Sequence, residues 1–377
     1  MEYLVNEKGG IYVTWLAGVN RYILFREPAF VVFKLLAEDK PGKTIAVEIA
    51  QKYNLPALEA ERFTKEISNQ ITALSDPKNG IGEPFFQHYG LPDIQHQPTQ
   101  RTYLLNGTGV MIKYANNFIE ENIHRKLQHL SANIGKRNIS HTYELSGSHG
   151  QYWLLADNRR ESNQSFSLVE QLAGGLYLQL LNLIHGIPPD SWMGVAHASA
   201  VTNGKEAILF MAPSGGGKST IASLLLANGY KLLSDDFVPI SLTEPEVYSF
   251  PAGISVKNTA IPFIKEYFPE IENLNIIERP GLNKNGIYLP FPSESLSTKN
   301  VKTKAIVFVK YDKLVDCRFK RSPNHELMEQ FLVESWIANN PAAAGRFMDW
   351  FFNLEVYTLQ YSDSKKAVTR IKKIFKD

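Results

Sequence analysis

The stretch "AILFMAPSGGGKSTIASLLLANG", Ala207 to Gly229, constrains this chain more than any other. "AILFM" is a short apolar run suited to a buried strand, and "KSTIASLLLANG" is a helical pattern with Gly229 where a C-terminal cap belongs. Three glycines lie between them. Without side chains, consecutive backbone N–H groups turn inward and the helix N-terminus adds partial positive charge, so such a loop cradles phosphate. Lys218 would reach the β- and γ-phosphates, and Ser219 would set its hydroxyl on Mg²⁺. The pattern G-x-x-x-x-G-K-[ST] is met except at Ala212, which stands where the first glycine belongs and therefore needs a negative φ. A bare G-K-[ST] arises by chance in roughly one chain in five of this length. The strand before it, the helix after it and the two extra glycines carry the reading.

"KLLSDDFVPI", Lys231 to Ile240, is an apolar run interrupted by Asp235 and Asp236, where a strand would resume the sheet after the loop helix. Adjacent carboxylates at a strand end repel each other unless they share a cation or a proton. Mg²⁺ with ATP supplies the cation and leaves one carboxylate free as a base. His197, in "GVAHASAV", lies just upstream of the strand that feeds the loop, so the chain could return it to the two aspartates. On spacing alone it reads first as a satisfied core histidine.

"HASAV", "APSGGGKST" and "GYKLLSDD" together resemble the kinase domain of the HPr kinase/phosphorylase family, whose phosphate loop is similar to that of phosphoenolpyruvate carboxykinase. The intervals from His197 to Lys218, and from Lys218 to Asp235 and Asp236, both match that family. The resemblance implies an α/β kinase fold binding ATP and Mg²⁺. Ser214, Gly215, Gly216, Gly217, Lys218, Ser219 and Thr220 would form the nucleotide loop. Ser219 would hold the metal, Asp235 and Asp236 would be the metal ligand and the base that deprotonates a serine hydroxyl, with Asp236 favoured as the base and the order left open, and His197 would orient or tune the carboxylates. The chain departs from the family at Ala212, and at Thr220, where bifunctional members commonly carry an acid. The family's second signature is not recognisable either, so phosphorylase activity and HPr as acceptor are not expected. Lys257, Arg279 and Lys284 are further cations that could meet phosphate, although each reads first as a surface charge.

At 377 residues the chain suggests two or three domains. The first, 1–76, combines a hairpin with the helical patterns "PAFVVFKLLAE", "TIAVEIAQKYN" and "LEAERFTKEISNQITAL", with Ile45, Ala46, Ile49 and Ala50 on the inward face of the second. Small strands with three helices suit a winged helix (α+β). The segment is similar to the PqqD-type peptide-recognition module, which implies binding of an extended peptide leader by strand addition. Its candidate recognition helix carries Lys52 as its one basic residue, against Glu48, which argues against DNA. Residues 77–100 read as a Pro/Gly-rich linker and 101–377 as the kinase domain. There, Asn106-Gly107 signals a hairpin, a strand pair flanks "SGSHG", and a long amphipathic helix starts at Phe166. The basic terminal helix "SKKAVTRIKKIFK" has Val368, Ile371, Ile374 and Phe375 on one side and reads as docked on the core.

The net charge of +2 excludes a general nucleic-acid or membrane binder. Glu170, Gln171, Gln179 and Asn182 interrupt the most apolar segment, so no membrane span is expected. Cys317 is the single cysteine, and "MEYLVNEKGG" lacks the marks of a secretory signal, which together fit a reducing cytoplasm. The expectation is therefore an ATP-dependent kinase acting on serine or threonine of a peptide or protein. A small-metabolite kinase and a catalytically silent nucleotide-sensing or peptide-carrier module are the alternatives. Lys218, Ser219 and both aspartates occurring together favour catalysis over the silent module. The oligomeric state is left open, a homo-oligomer included.

Overall fold

The computed structural model describes residues 1–79, 99–148, 150–157, 164–274, 276, 285–290 and 300–376. It is a mixed α/β structure with several sheets and ten α-helices among the described residues. Two compact units divide it: Met1–Glu83 with Asn324–Glu329 and Ile337–Asn353, and Pro84–Pro323 with Gln330–Trp336 and Leu354–Asp377.

In the smaller unit the expected hairpin gains a third strand. Tyr3–Lys8, Ile11–Leu16 and Arg21–Arg26 form an antiparallel sheet, followed by helices Ala29–Ala37, Gly42–Tyr53 and Ala57–Ser75. Pro41 and Pro56, both extended, stand at the N-caps of the second and third helices. Each fixes its own φ and keeps the preceding residue out of the helical region, so the helices stay separate. Ile45, Ala46 and Ile49 are buried as the apolar spacing requires, and Ala50 is half-buried. The helix Pro341–Asn353 belongs to the same unit: the Asn6 amide donates to Asp349 at 2.6 Å, and Tyr22 meets Phe347 edge-on at 5.2 Å.

The larger unit carries a five-stranded sheet, Thr99–Leu105, Thr108–Tyr114, Ile139–Ser148, Gln151–Ala156 and Gln164–Phe166, in that order. Asn106 (φ 47°) and Gly107 (φ 81°) make the two-residue turn between the first two strands. Helices Asn117–Leu127 and Val169–His185 pack against this sheet. The second begins three residues later than the apolar pattern suggests. The Phe166 ring lies over Gly175, where a Cβ would come within 2.5 Å of it, so Phe166 stays on its strand. The Gln171 side chain then accepts from the Leu168 N–H at 3.2 Å to open the helix.

The other large sheet positions the site. Strands Lys231–Asp235, Ala198–Thr202, Glu206–Met211, Val301–Tyr311, Glu355–Tyr361 and Cys317–Arg321 lie side by side in that order. Glu206–Met211 runs parallel to Val301–Tyr311, and Ala198–Thr202 runs antiparallel to both of its neighbours. Met211, Asp235 and the residue before Ala198 therefore reach the same edge, beyond the carboxyl ends of the parallel strands, where open α/β sheets bind ligands. Helix Lys218–Leu226 covers one face through Ile221, Ala222 and Leu225. The terminal helix Ser364–Ile374 docks on the same core with Val368, Ile371 and Ile374 buried, and Phe375 stacks on Tyr230 at 4.9 Å. Among the described residues no helix is long and apolar enough to cross a membrane.

Candidate active site

The glycine loop turns tightly. The Gly216 N–H donates to the Pro213 carbonyl at 2.9 Å, and the Gly216 carbonyl accepts from Tyr311 N–H at 3.0 Å. Gly215 and Gly217 hold φ values of +93° and +103°, which side-chain-bearing residues rarely adopt. Ala212 avoids the left-handed region, as its substitution for glycine requires. The helix that follows starts at Lys218 and ends before Gly229, whose φ of +87° stops it.

The chemistry sits around Lys218, which is 6% exposed. Its Nζ lies 2.8 Å from His197 Nε2 and 3.2 Å from Asp236 Oδ1. An ammonium can only donate, so His197 accepts on Nε2 as a neutral imidazole. Burial pushes the imidazole below its ordinary value, in keeping with that state. Asp236 Oδ1 lies 3.6 Å from the same ring nitrogen, beyond a hydrogen bond. His197 thus leans on the loop lysine first and on the carboxylate second.

The two aspartates have separate surroundings. Asp235 is 1% exposed. Its Oδ1 accepts from Ser199 Oγ, its Oδ2 from Ser255 N–H at 2.9 Å, and Ser219 Oγ is 3.0 Å from both oxygens. Burial, with Asp236 beside it, raises its carboxyl above the usual range. Asp236 has φ 63°, and its N–H donates to Ala198 O at 2.8 Å. Its Oδ2 pairs with Lys126 Nζ at 3.3 Å. Burial works against its ionisation, yet Lys126 and then Lys218 outweigh it and hold the carboxyl well below the usual range.

A cavity of about 290 Å³ opens over these groups and is lined by His197, Ser214, Gly215, Gly217, Lys218, Ser219, Thr220 and Asp236. All seven loop positions singled out in the sequence, Gly216 included, are thus at one edge of one sheet together with His197 and the two aspartates. Lys257 is also there, its Nζ donating to Ser214 Oγ at 3.0 Å. Arg279 and Lys284 lie outside the described residues, as do most of residues 77–100 and His149 of "SGSHG". Lys126, Glu170 and Tyr288 are among the further lining residues and carried no sequence signal, since strand and loop spacing says nothing about partners brought in from other elements. Ser199 and Ser255 are likewise supplied by tertiary pairing.

The loop suits a phosphate chain: Gly215 and Gly217 set no side chain over the backbone, a Cβ at Gly216 would collide with Ala212, and Lys218 and Lys257 bring positive charge. For Mg²⁺, Ser219 Oγ and the Asp235 carboxylate stand 3.0 Å apart as hard oxygen donors. Mg²⁺ takes one or two such ligands from a protein and fills its octahedron with phosphate oxygens and water. Among the described residues no group of three or more His, Cys, Asp or Glu is arranged around a metal position.

No protein-family model matches the chain, and no curated protein matches it. Among solved structures, the Hpr(Ser) kinase/phosphatase from Coxiella burnetii is similar over 48% of this chain and 88% of that one, at 12% sequence identity and a TM-score of 0.23.

Proposed function

We propose that the larger unit is an ATP-dependent phosphotransferase that moves the γ-phosphoryl group to the hydroxyl of a serine or threonine in a peptide or protein. One observation carries this reading. The glycine loop with Lys218 and Ser219, and the Asp235–Asp236 pair, come from two separate segments and meet at one cavity, which Lys218, Ser219 and an ionised Asp236 line while Asp235 stands 3.0 Å from Ser219 Oγ. Phosphoryl transfer asks a protein mainly to position groups and to offset charge, and this is the set it needs.

In this reading the N–H groups of Gly215 and Gly217 and the Lys218 ammonium receive the β- and γ-phosphates of the substrate ATP. Ser219 and Asp235 hold Mg²⁺, which neutralises phosphate charge when bound. Asp236, kept ionised by its cationic neighbours, accepts the proton of the attacking hydroxyl. His197, neutral on Nε2, guides Lys218, and Ser214 and Thr220 line the phosphate path. The peptide acceptor rests on the resemblance of residues 1–76 to PqqD-type modules, the smaller unit then holding an extended leader. The chain would work as a cytoplasmic enzyme without nucleic acid or membrane.

The test is direct. The purified chain is titrated with a fluorescent ATP analogue with and without Mg²⁺, then incubated with ATP and a serine/threonine peptide library, free serine or sugars, and the products are read by mass spectrometry. Mg²⁺-dependent binding with phosphate on peptides supports the proposal. Phosphate on free serine or a sugar alone moves the acceptor to a small metabolite, and binding without transfer to any of them makes the chain a nucleotide sensor.

A further inference from the structure

Lys126 was invisible in the sequence, and its surroundings give it a specific task. It stands at the last turn of helix Asn117–Leu127, on a different layer from the glycine loop and 110 residues from Asp236. Its carbonyl accepts the Gly253 N–H at 2.8 Å, so its backbone is tied to the segment that leads into strand Ile254–Lys257. Its side chain, 19% exposed, reaches Asp236 Oδ2 at 3.3 Å and lies over the Tyr288 ring, 5.8 Å from the centroid. Asp236 is therefore gripped on both oxygens, Oδ1 by Lys218 and Oδ2 by Lys126.

The two grips differ in what can take them away. Lys218 belongs to the loop, and a phosphate chain carries more negative charge than one carboxylate, so a bound nucleotide draws Lys218 off Asp236. Lys126 faces the other oxygen and is pinned by its own backbone. Asp236 also holds a left-handed φ of 63°, a conformation that persists only when its surroundings over-determine it.

We propose that Lys126 is a positioning residue, the resident counter-ion that keeps the Asp236 carboxylate and its left-handed turn in place once Lys218 is engaged by phosphate. This rests on the phosphotransferase reading for its purpose, but the grip itself can be measured without nucleotide. Lys218→Met imitates the withdrawn loop lysine. Hydrogen exchange of the full-length chain, read at the Asp236 N–H that donates to Ala198 O, reports the turn. Lys218→Met alone should leave exchange there within about twofold of the wild type, because Lys126 remains. Lys126→Met with Lys218→Met should speed it at least tenfold, while helix Val169–His185 stays protected. Lys126→Arg in the same background should restore protection.

Wild-type exchange in the double variant, or an equal loss of protection in Lys218→Met alone, overturns the proposal. If the double variant fails to fold, adding Asp236→Asn, which removes the unpaired buried charge, should rescue it; failure to rescue also overturns the proposal. With Mg²⁺ and ATP, using water as acceptor, Lys126→Met should keep the affinity for the ATP analogue within about twofold and lower kcat at least tenfold, with partial recovery in Lys126→Arg. A wild type that binds no nucleotide refutes the phosphotransferase reading and leaves the exchange result to decide on Lys126.

Discussion

Replacing Gly216 with alanine probes the loop by steric contact alone. A Cβ there would lie 2.7 Å from the Ala212 methyl and 3.2 Å from the carbonyl oxygens of Pro213 and Val309. Ordinary carbon–carbon contact is about 3.5–4.0 Å, so the loop must give by about 1 Å. Two backbone carbonyls and a fully packed methyl resist that shift. Gly216 has no left-handed φ, so no backbone strain enters. Overpacking of this kind costs about 1–3 kcal/mol, offset by about 0.4–1 kcal/mol from the stiffer unfolded chain. A net loss of roughly 1.5 kcal/mol is expected. Ala212→Gly alone should cost a similar amount, about 0.8 kcal/mol for the buried methyl and about 0.5–1 kcal/mol for glycine's flexibility. In the double variant the methyl–methyl clash is gone, so the cost should be about 2 kcal/mol rather than about 3, a coupling of about 1 kcal/mol. Hydrogen exchange at strand Glu206–Met211 across a urea series reads the larger unit by itself. Additivity within about 0.5 kcal/mol would refute the contact and with it the account of how alanine is accommodated at 212.

Lys218→Ala should weaken binding of an ATP analogue at least tenfold, about 1.4 kcal/mol, with an unchanged circular-dichroism spectrum; wild-type affinity in that variant removes the phosphate-loop assignment. Asp235 has a folded-state pKa raised above its unfolded value, so its contribution to stability is present below the ordinary carboxylate pKa and is lost as pH rises through the raised value. In chelator, the urea midpoint of the wild type should therefore lose ground to Asp235→Ser between about pH 4 and pH 7. Added Mg²⁺ should reverse that loss in the wild type only, and parallel curves would contradict the assigned environment. Deleting Met1–Asp76 takes away the sheet against which Phe347 and Asp349 of helix Pro341–Asn353 are held. The truncated chain should melt lower and aggregate by light scattering, and an unchanged melting temperature would mean that this helix needs no partner there.

What the sequence made legible was local. Asn106-Gly107 needs two left-handed residues and has them, and the proline-separated helices of the first 76 residues follow from rules that act within a few residues. The strand–loop–helix from Glu206 to Leu226 was legible for the same reason. The rest was not, because it depends on pairing across long separations. Nothing near Pro341 announces that its helix joins Tyr3–Lys8, and nothing near Lys126 points to Asp236. Phe166 was misassigned to a helix because apolar spacing cannot register that Gly175, nine residues on in the sequence, lacks the side chain that would exclude its ring.

The aspartate pair shows how one backbone angle divides labour between neighbours. Like charges side by side were the sequence's puzzle, and a cation for one with the other left free as base was its answer. The structure gives the two separate surroundings. Asp235 ends an extended strand and turns to three donors, Ser199, Ser219 and the Ser255 N–H. Asp236 enters the left-handed region at φ 63° and carries its carboxylate into the cavity between Lys126 and Lys218. Asparagine and glycine tolerate that backbone, whereas alanine pays roughly 1–2 kcal/mol for it. Asp236→Asn and Asp236→Gly should thus lose phosphoryl transfer while differing from each other little in backbone strain, and Asp236→Ala should add a destabilisation that the other two lack. Unfolding curves and transfer rates measured on the three variants separate the backbone from the charge. If alanine is no less stable than glycine at 236, the turn is not strained and the carboxylate's place must be set by its cations alone.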